Sequence, residues 1–152
     1  MANEKAFVNL DNARLDEQRA VMNIIVEDGV CPFCPEYLAR YHKKPILREG
    51  EFWILTDNQW PYEHTKNHLL AITKNHVEAI DELSPEAYAE LMEHFRWAIK
   101  ERNITGGGIA MRFGEPEKSG GTVRHLHAQL IEPDIESPDY EPVRVKIGKS
   151  KK

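Results

Sequence analysis

The sequence has 152 residues, 41% hydrophobic and 30% charged, with a formal net charge of −5 at pH 7. That size and balance describe one globular domain with apolar material for one core, and no run approaches the ~20 apolar residues of a membrane span. The negative balance argues against bulk-charge binding to nucleic acid, and Met1 to Lys5 leads into polar sequence without an apolar signal core, so a cytoplasmic protein is expected.

The first predicted helix runs from Asp11 to Asp28, capped by Asp11 or Asn12 and closed by Gly29. Cys31-Pro-Phe-Cys34 follows and holds both cysteines of the chain. In a cytoplasmic protein a structural disulfide is a poor reading, and the spacing suits a redox pair or half of a zinc site. Pro35 to Tyr41 reads as a short helical turn. Ile46–Arg48 and Glu51–Thr56, joined at Glu49-Gly50, read as a hairpin. His68–Thr73, built around Leu69-Leu70-Ala71-Ile72, reads as a third strand. Ser84-Pro85 then opens the clearest helix, with Tyr88, Leu91, Phe95 and Ile99 at helical spacing on a core-facing side. Gly106-Gly107-Gly108 ends that region. Strands follow at Ile109–Phe113 and Val123–Ile131, joined by a loop rich in Gly and Glu. Basic residues gather from Arg144 to Lys152 and read as a solvated tail. The order of elements predicts an α+β fold, with helices packed on an antiparallel sheet of about five strands.

The segment Val123–Ile131 carries the chemistry. On a strand, alternate side chains share a face, so His125, His127 and Gln129 would project together while Leu126, Ala128 and Leu130 face a helix. A neutral imidazole with its proton fixed on one nitrogen presents the other as a nucleophile or metal ligand. A neighbouring Gln donates to phosphate oxygens without becoming charged.

Here the sequence resembles the histidine triad superfamily, whose hallmark is His-φ-His-φ-His-φ-φ with φ apolar. The match is His125-Leu-His127-Ala-Gln129-Leu-Ile131. Asn67–His76 resembles the family's Gly-His-Thr-Leu-Val-Ile-Pro-Lys-x-His segment, and Cys31-Pro-Phe-Cys34 resembles its Cys-x-Phe-Cys. Gly120-Gly121-Thr122-Val123 resembles the Gly-Gln-Ser/Thr-Val before the catalytic strand. The likeness covers residues 30 to 133. It implies a single domain over residues 1–152, with the N-terminal helix at 11–28 and the basic tail at 144–152 outside that core. Gln129 in the third position is similar to the His-x-His-x-Gln branch, which holds galactose-1-phosphate uridylyltransferase and dinucleoside polyphosphate phosphorylase.

The resemblance implies a two-step reaction. His127 attacks the α-phosphorus of a nucleotide or dinucleoside polyphosphate, and an acceptor then takes the nucleotide from His127. It makes His127, Gln129 and His125 catalytic, with Gln129 and Thr122 reaching the phosphate. Gly121 would lie near the phosphate and Asp57 would hold the ribose hydroxyls. It implies a structural zinc site of Cys31, Cys34, His76 and His125. A two-fold homodimer is expected, with the Tyr88–Ile99 helix as one contributor. Two alternatives stand beside transfer: a nucleotide hydrolase with water as acceptor, and a regulatory protein that only binds nucleotide. Trp60 and Tyr62 are candidates for stacking on the base. His64 and His68 read as surface or loop histidines, Lys74 and Arg112 as possible phosphate neighbours, and Arg124 as facing away from His127.

Overall fold

The computed structural model describes residues 6–151. Five antiparallel strands form one sheet: β1 (Ile46–Glu49), β2 (Trp53–Asp57), β3 (Thr65–Thr73), β4 (Gly108–Arg112) and β5 (His127–Pro133), in the spatial order β1-β2-β3-β5-β4. The turn between β1 and β2 is clamped by one carboxylate. Glu90 accepts the backbone N–H groups of Glu51, Phe52 and Trp53 at 2.7, 2.9 and 2.7 Å.

Alternation along the strands divides the sheet into two chemically different faces. On one, Trp53, Leu55, Leu69, Ala71, Leu126, Ala128 and Leu130 pack against α3 (Pro85–Glu101) through Leu91, Phe95 and Ala98. Trp53 is fully buried, and its indole N–H donates to the Ala87 carbonyl at 2.7 Å. Ser84 caps α3 by accepting from the Ala87 N–H at 3.3 Å, and Pro85 takes the first helical position. On the other face, Ile54, Leu70 and Ile72 meet Phe33 and Leu38. Here α1 (Asp16–Asp28) and α2 (Pro35–Tyr41) build a second, smaller core around Met22, Ile25 and Tyr41.

Several elements depart from the sequence expectation. α1 begins at Asp16 rather than Asp11, because Leu10–Asn12 forms a 3-10 turn. The Asn12 side chain does not cap α1; it donates to the Gly121 carbonyl at 2.9 Å, 109 positions away. Gly29 does close α1, in the left-handed conformation at φ 67°. β5 begins only at His127. Before it the N–H groups pair outside the sheet, Arg124 N–H donating to Phe7 O at 2.6 Å and Leu126 N–H to Val77 O at 2.7 Å, while the Leu126 carbonyl still accepts from Thr73 N–H of β3 at 3.3 Å. His125 therefore precedes the strand, although Phe33 meets the rings of both His125 and His127 edge-on. Pro116–Ser119 forms a short helix, α4, where a loop was expected. The basic C-terminal segment is not a solvated tail. Lys149 N–H donates to Glu117 O at 2.8 Å, Ser150 N–H to Asn12 Oδ1 at 3.3 Å, and Arg112 Nε to Lys146 O at 2.8 Å. Among the described residues no helix is long and apolar enough to cross a membrane.

Candidate active site

The sheet face away from α3 floors a cavity of about 420 Å³, bounded by α1, the 58–62 loop, the 120–123 loop and the C-terminal segment. Leu70, His127 and Gln129 line its floor. His127 opens β5, opposite Ile72 on β3 and Arg112 on β4. Its Nδ1 lies 2.7 Å from the carbonyl oxygen of His125. A carbonyl only accepts, so Nδ1 carries the proton and Nε2 keeps its lone pair. Burial, assisted by the Arg112 charge, holds the His127 imidazolium below the usual histidine range; the His125 carbonyl opposes the shift. The ring is thus neutral near pH 7, with one fixed tautomer. Phe33 meets it edge-on at 5.1 Å between ring centroids.

Gln129 is buried beside it, and its Oε1 lies 2.5 Å from His68 Nε2. His68 Nδ1 accepts the Tyr62 N–H at 3.0 Å, so a neutral His68 places its proton on Nε2 and donates to Gln129. Burial lowers His68 to about 4, with the Gln129 contact opposing and the Arg14 and Arg112 charges adding to the shift. The carbonyl end of Gln129 is thereby occupied, leaving its NH2 as the donor end. The sequence reading placed His68 at the surface; it is buried. The alternation His68, Leu70, Ile72 in β3 was the available signal, since it puts all three on the face opposite Leu69 and Ala71.

Cys31, Cys34, His76 and His125 converge, with one ligand atom from each lying within 4.8 Å of all the others. A tetrahedron with Zn–S of ~2.3 Å and Zn–N of ~2.0–2.1 Å has edges of about 3.3–3.4 Å between nitrogens and about 3.5–3.6 Å between nitrogen and sulfur. Here Nδ1 of His76 and Nδ1 of His125 are 3.2 Å apart. The sulfur–nitrogen separations are 3.3 Å for Cys31–His125, 3.4 Å for Cys34–His76 and 3.7 Å for Cys34–His125. The outer nitrogens are engaged as metal-bound imidazoles require. His125 Nε2 donates to the Thr73 carbonyl at 2.6 Å, and His76 Nε2 lies 3.3 Å from a Glu78 carboxylate oxygen. Both cysteines are free thiols, so neither is spent in a disulfide. With no cation present, burial raises both thiols, Cys34 to about 12 with the Cys31 charge adding to the rise. The four residues fit a tetrahedral metal.

Other expected site residues separate. Thr122 lines the cavity. Gly121 does not: it is buried, its N–H donates to Ser119 Oγ at 3.1 Å and its carbonyl accepts from Asn12. Gly120 takes the lining position, in the left-handed region at φ 77°. Asp57 stands on the α3 face of β2, where Arg102 grips it through two hydrogen bonds of 2.7 and 2.9 Å. Strand alternation turns it away from the cavity, which Asn58 reaches instead. Trp60 and Tyr62 both line the cavity, but the Tyr62 ring is already covered: the Arg14 guanidinium stands 4.4 Å from its centroid. Lys74 pairs with Glu49 at 2.9 Å, and His64 lies 3.8 Å from Glu141, both outside the cavity. Arg112 lines the cavity, while Arg124 pairs with Glu78 at 3.6 Å. Arg14 and the C-terminal Arg144 and Lys146 also line it. Sequence patterning offered no signal for these three, because each arrives from a segment without regular structure.

Comparison with known proteins agrees with this fold. A family model described as scavenger mRNA decapping enzyme C-term binding matches residues 30–141. No curated protein matches the chain. Among solved structures, a zinc-bound histidine triad family protein from Mycobacterium smegmatis superposes with a TM-score of 0.54 at 21% identity, covering 76% of this chain and 82% of that one. A HIT family hydrolase from Legionella pneumophila Philadelphia 1 gives 0.55 at 19% identity, covering 68% and 92%. A hypothetical histidine triad nucleotide-binding protein from Sulfolobus tokodaii gives 0.54 at 24%, covering 80% and 82%. At these identities the solved structures establish the common fold. With the family model spanning most of the chain, the protein belongs to the histidine triad superfamily, in the family described as scavenger mRNA decapping enzyme C-term binding.

Proposed function

We propose that the chain is a nucleotidyltransferase or phosphorylase that acts on the α-phosphate of a nucleotide or dinucleoside polyphosphate through a nucleotidyl-histidine intermediate. The supporting observation is the fixed tautomer of His127, whose Nδ1–H is held 2.7 Å from the His125 carbonyl while Nε2 carries the free lone pair.

In the first step the Nε2 lone pair forms a bond to the α-phosphorus as the bond to the leaving oxygen breaks, and the leaving group departs with that electron pair. Positive charge develops on the ring and is stabilised through Nδ1–H and the His125 carbonyl. Negative charge on the equatorial oxygens meets the NH2 of Gln129, turned outward because His68 holds its Oε1. In the second step an acceptor oxygen attacks phosphorus, the N–P bond breaks, and its electron pair returns to Nε2. A glutamine amide does not readily transfer a proton, so this site favours leaving groups that need little acid assistance. That property favours transfer. Hydrolysis, with water as the acceptor in the second step, is the alternative; the description of the Legionella relative as a hydrolase favours it.

Zinc at Cys31, Cys34, His76 and His125 fits the donor set and spacing, and its chemistry there is structural, since all four positions are filled by protein. These residues tie the first turn of the chain's core to His125, whose carbonyl orients His127. A homodimer remains part of the proposal. β4 is an edge strand, and Ile109 on it and Phe113 just beyond it are 51% and 56% exposed.

Mixing the enzyme with a dinucleoside polyphosphate, then denaturing it rapidly at alkaline pH for intact mass, tests the intermediate. The expected result is a gain of one nucleotide that disappears in His127→Ala. An unmodified mass under single-turnover conditions, with product formed, rejects it. Turnover with and without inorganic phosphate separates transfer from hydrolysis. Transfer predicts a phosphate-dependent product.

A further inference from the structure

Four cationic side chains reach one cavity from three unconnected parts of the chain: Arg14 before α1, Arg112 at the end of β4, and Arg144 and Lys146 in the C-terminal segment. Among the described residues no carboxylate lies within ion-pair distance of any of them, whereas Arg40, Arg96, Arg102 and Arg124 each have an acidic partner. Arg112 lowers both Arg14 and Lys146, after burial, while Glu63 is the weakest of the named influences on Arg14. In a chain of net charge −5, a concentration of positive charge in a cavity whose lining includes no carboxylate is a local reversal of sign.

Two members of the cluster, Arg112 and Lys146, are held in place by the protein. Arg112 is fixed at both ends of its guanidinium, Nε to the Lys146 carbonyl at 2.8 Å and Nη1 to the Tyr62 hydroxyl at 2.8 Å. Lys146 Nζ is held by Asn12 Oδ1 at 3.0 Å and Ser150 Oγ at 2.6 Å. The C-terminal segment itself is seated on α4. A Cβ added at Gly120 would lie 2.3 Å from the Gly148 carbonyl oxygen, so only glycine permits the approach. Like charges that line one cavity without a carboxylate among them repel one another. An anion binding among them removes that cost.

An α-phosphate attacked by His127 carries about one negative charge, and Gln129 already addresses its oxygens. Four more cations exceed that need. We propose that Arg14, Arg112, Arg144 and Lys146 form a subsite for a second phosphate group, and that residues 144–150 are a fixed wall of the active site. The subsite rests on the reading of His127 as the nucleophile only for its role in turnover. Its ligand is the phosphate beyond the α-phosphate, arriving either as part of the leaving group or as the attacking acceptor.

Titration calorimetry with inorganic pyrophosphate on the full chain tests the subsite without any chemistry. The expected result is salt-sensitive binding that weakens at least tenfold in Arg144→Gln/Lys146→Met, a pair that keeps the aliphatic stems, and that persists in His127→Ala. Gly120→Ala, which leaves all four cations in the sequence but displaces the segment, weakens it as well. Pyrophosphate binding unchanged in the double variant, or none in the wild type, overturns the subsite. If pyrophosphate binding needs Arg144 and Lys146 but no His127 adduct forms, the subsite stands and the proposed reaction fails. In turnover, a raised KM for the nucleotide in the double variant identifies the leaving group as the occupant. A raised requirement for inorganic phosphate identifies the acceptor.

Discussion

His68 donates from Nε2 to Oε1 of Gln129 across 2.5 Å, joining β3 to β5 behind the cavity floor. The contact fixes an otherwise ambiguous amide, since either end of a glutamine side chain fits the same volume. With His68 in place the NH2 is the end left for a phosphate bound as proposed. Without it the amide is free to turn its oxygen toward the phosphate and repel it.

His68→Ala is therefore expected to lower kcat by roughly 10- to 100-fold, about 1.4–2.7 kcal/mol of transition-state stabilisation, with a smaller change in KM. Gln129→Ala should do the same. Because His68 acts through Gln129, the double variant should be little worse than Gln129→Ala alone. Steady-state kinetics on the four proteins check this. Multiplicative losses would give His68 an independent role.

His68 also couples stability to pH. Its folded value of about 4 lies below the ordinary value of 6.5, so the folded state binds fewer protons than the unfolded chain. The contribution is complete above 6.5 and is lost as pH falls from 6.5 through 4. A shift of that size corresponds to about 3 kcal/mol. Urea denaturation at pH 7.5 and 4.5 should show a larger loss for the wild type than for His68→Gln, whose side chain does not titrate.

The sheet, the capped helix α3 and the Cys31/Cys34 pair were legible because each rests on local spacing, whereas His76 and His125 joined that pair only through the family resemblance. Ser84-Pro85 announces α3, and Cys-x-x-Cys reads as a redox pair or half of a metal site. The place of His125 was not legible. Its strand-like alternation with Leu126 and His127 continues the β5 pattern, yet its backbone neighbours bond to Phe7 and Val77 outside the sheet. The C-terminal segment was equally hidden. Its seat depends on Gly120, on Asn12 and on the Glu117 carbonyl, none of which marks the sequence near Arg144.

If the proposed zinc is bound, its removal should loosen the proposed nucleophile as well as the fold. His125 offers Nδ1 to the cluster and its carbonyl to His127, so one residue links the proposed metal site to the proposed nucleophile. Chelation, or Cys31→Ala, is expected to lower the melting temperature and to reduce kcat by about 10- to 100-fold, the usual scale for groups that orient a site. Metal analysis should give close to one zinc per chain in the untreated protein. Fully active, equally stable metal-free protein would show that four packed side chains suffice.

Asp57 supplies a test of the sheet's two faces. It sits one residue beyond Thr56 and, by alternation, on the opposite side, where Arg102 binds both of its oxygens and also donates to Asn67 Oδ1 at 2.9 Å. This fork joins the end of α3 to β2 and β3. Both partners keep 27–29% side-chain exposure, so the pair is partly solvated and its loss is moderate. Asp57→Asn is expected to cost about 1–2 kcal/mol, through two weakened charge-assisted bonds and one stranded guanidinium. Nucleotide affinity should stay within twofold of wild type, because the side chain does not reach the cavity. Asn58→Ala, a cavity-lining change, should do the reverse, weakening nucleotide binding with little effect on stability. Thermal melts paired with nucleotide titrations on the two variants separate the outcomes. A large affinity loss in Asp57→Asn at unchanged stability would mean that the carboxylate leaves Arg102 for the ribose when nucleotide binds.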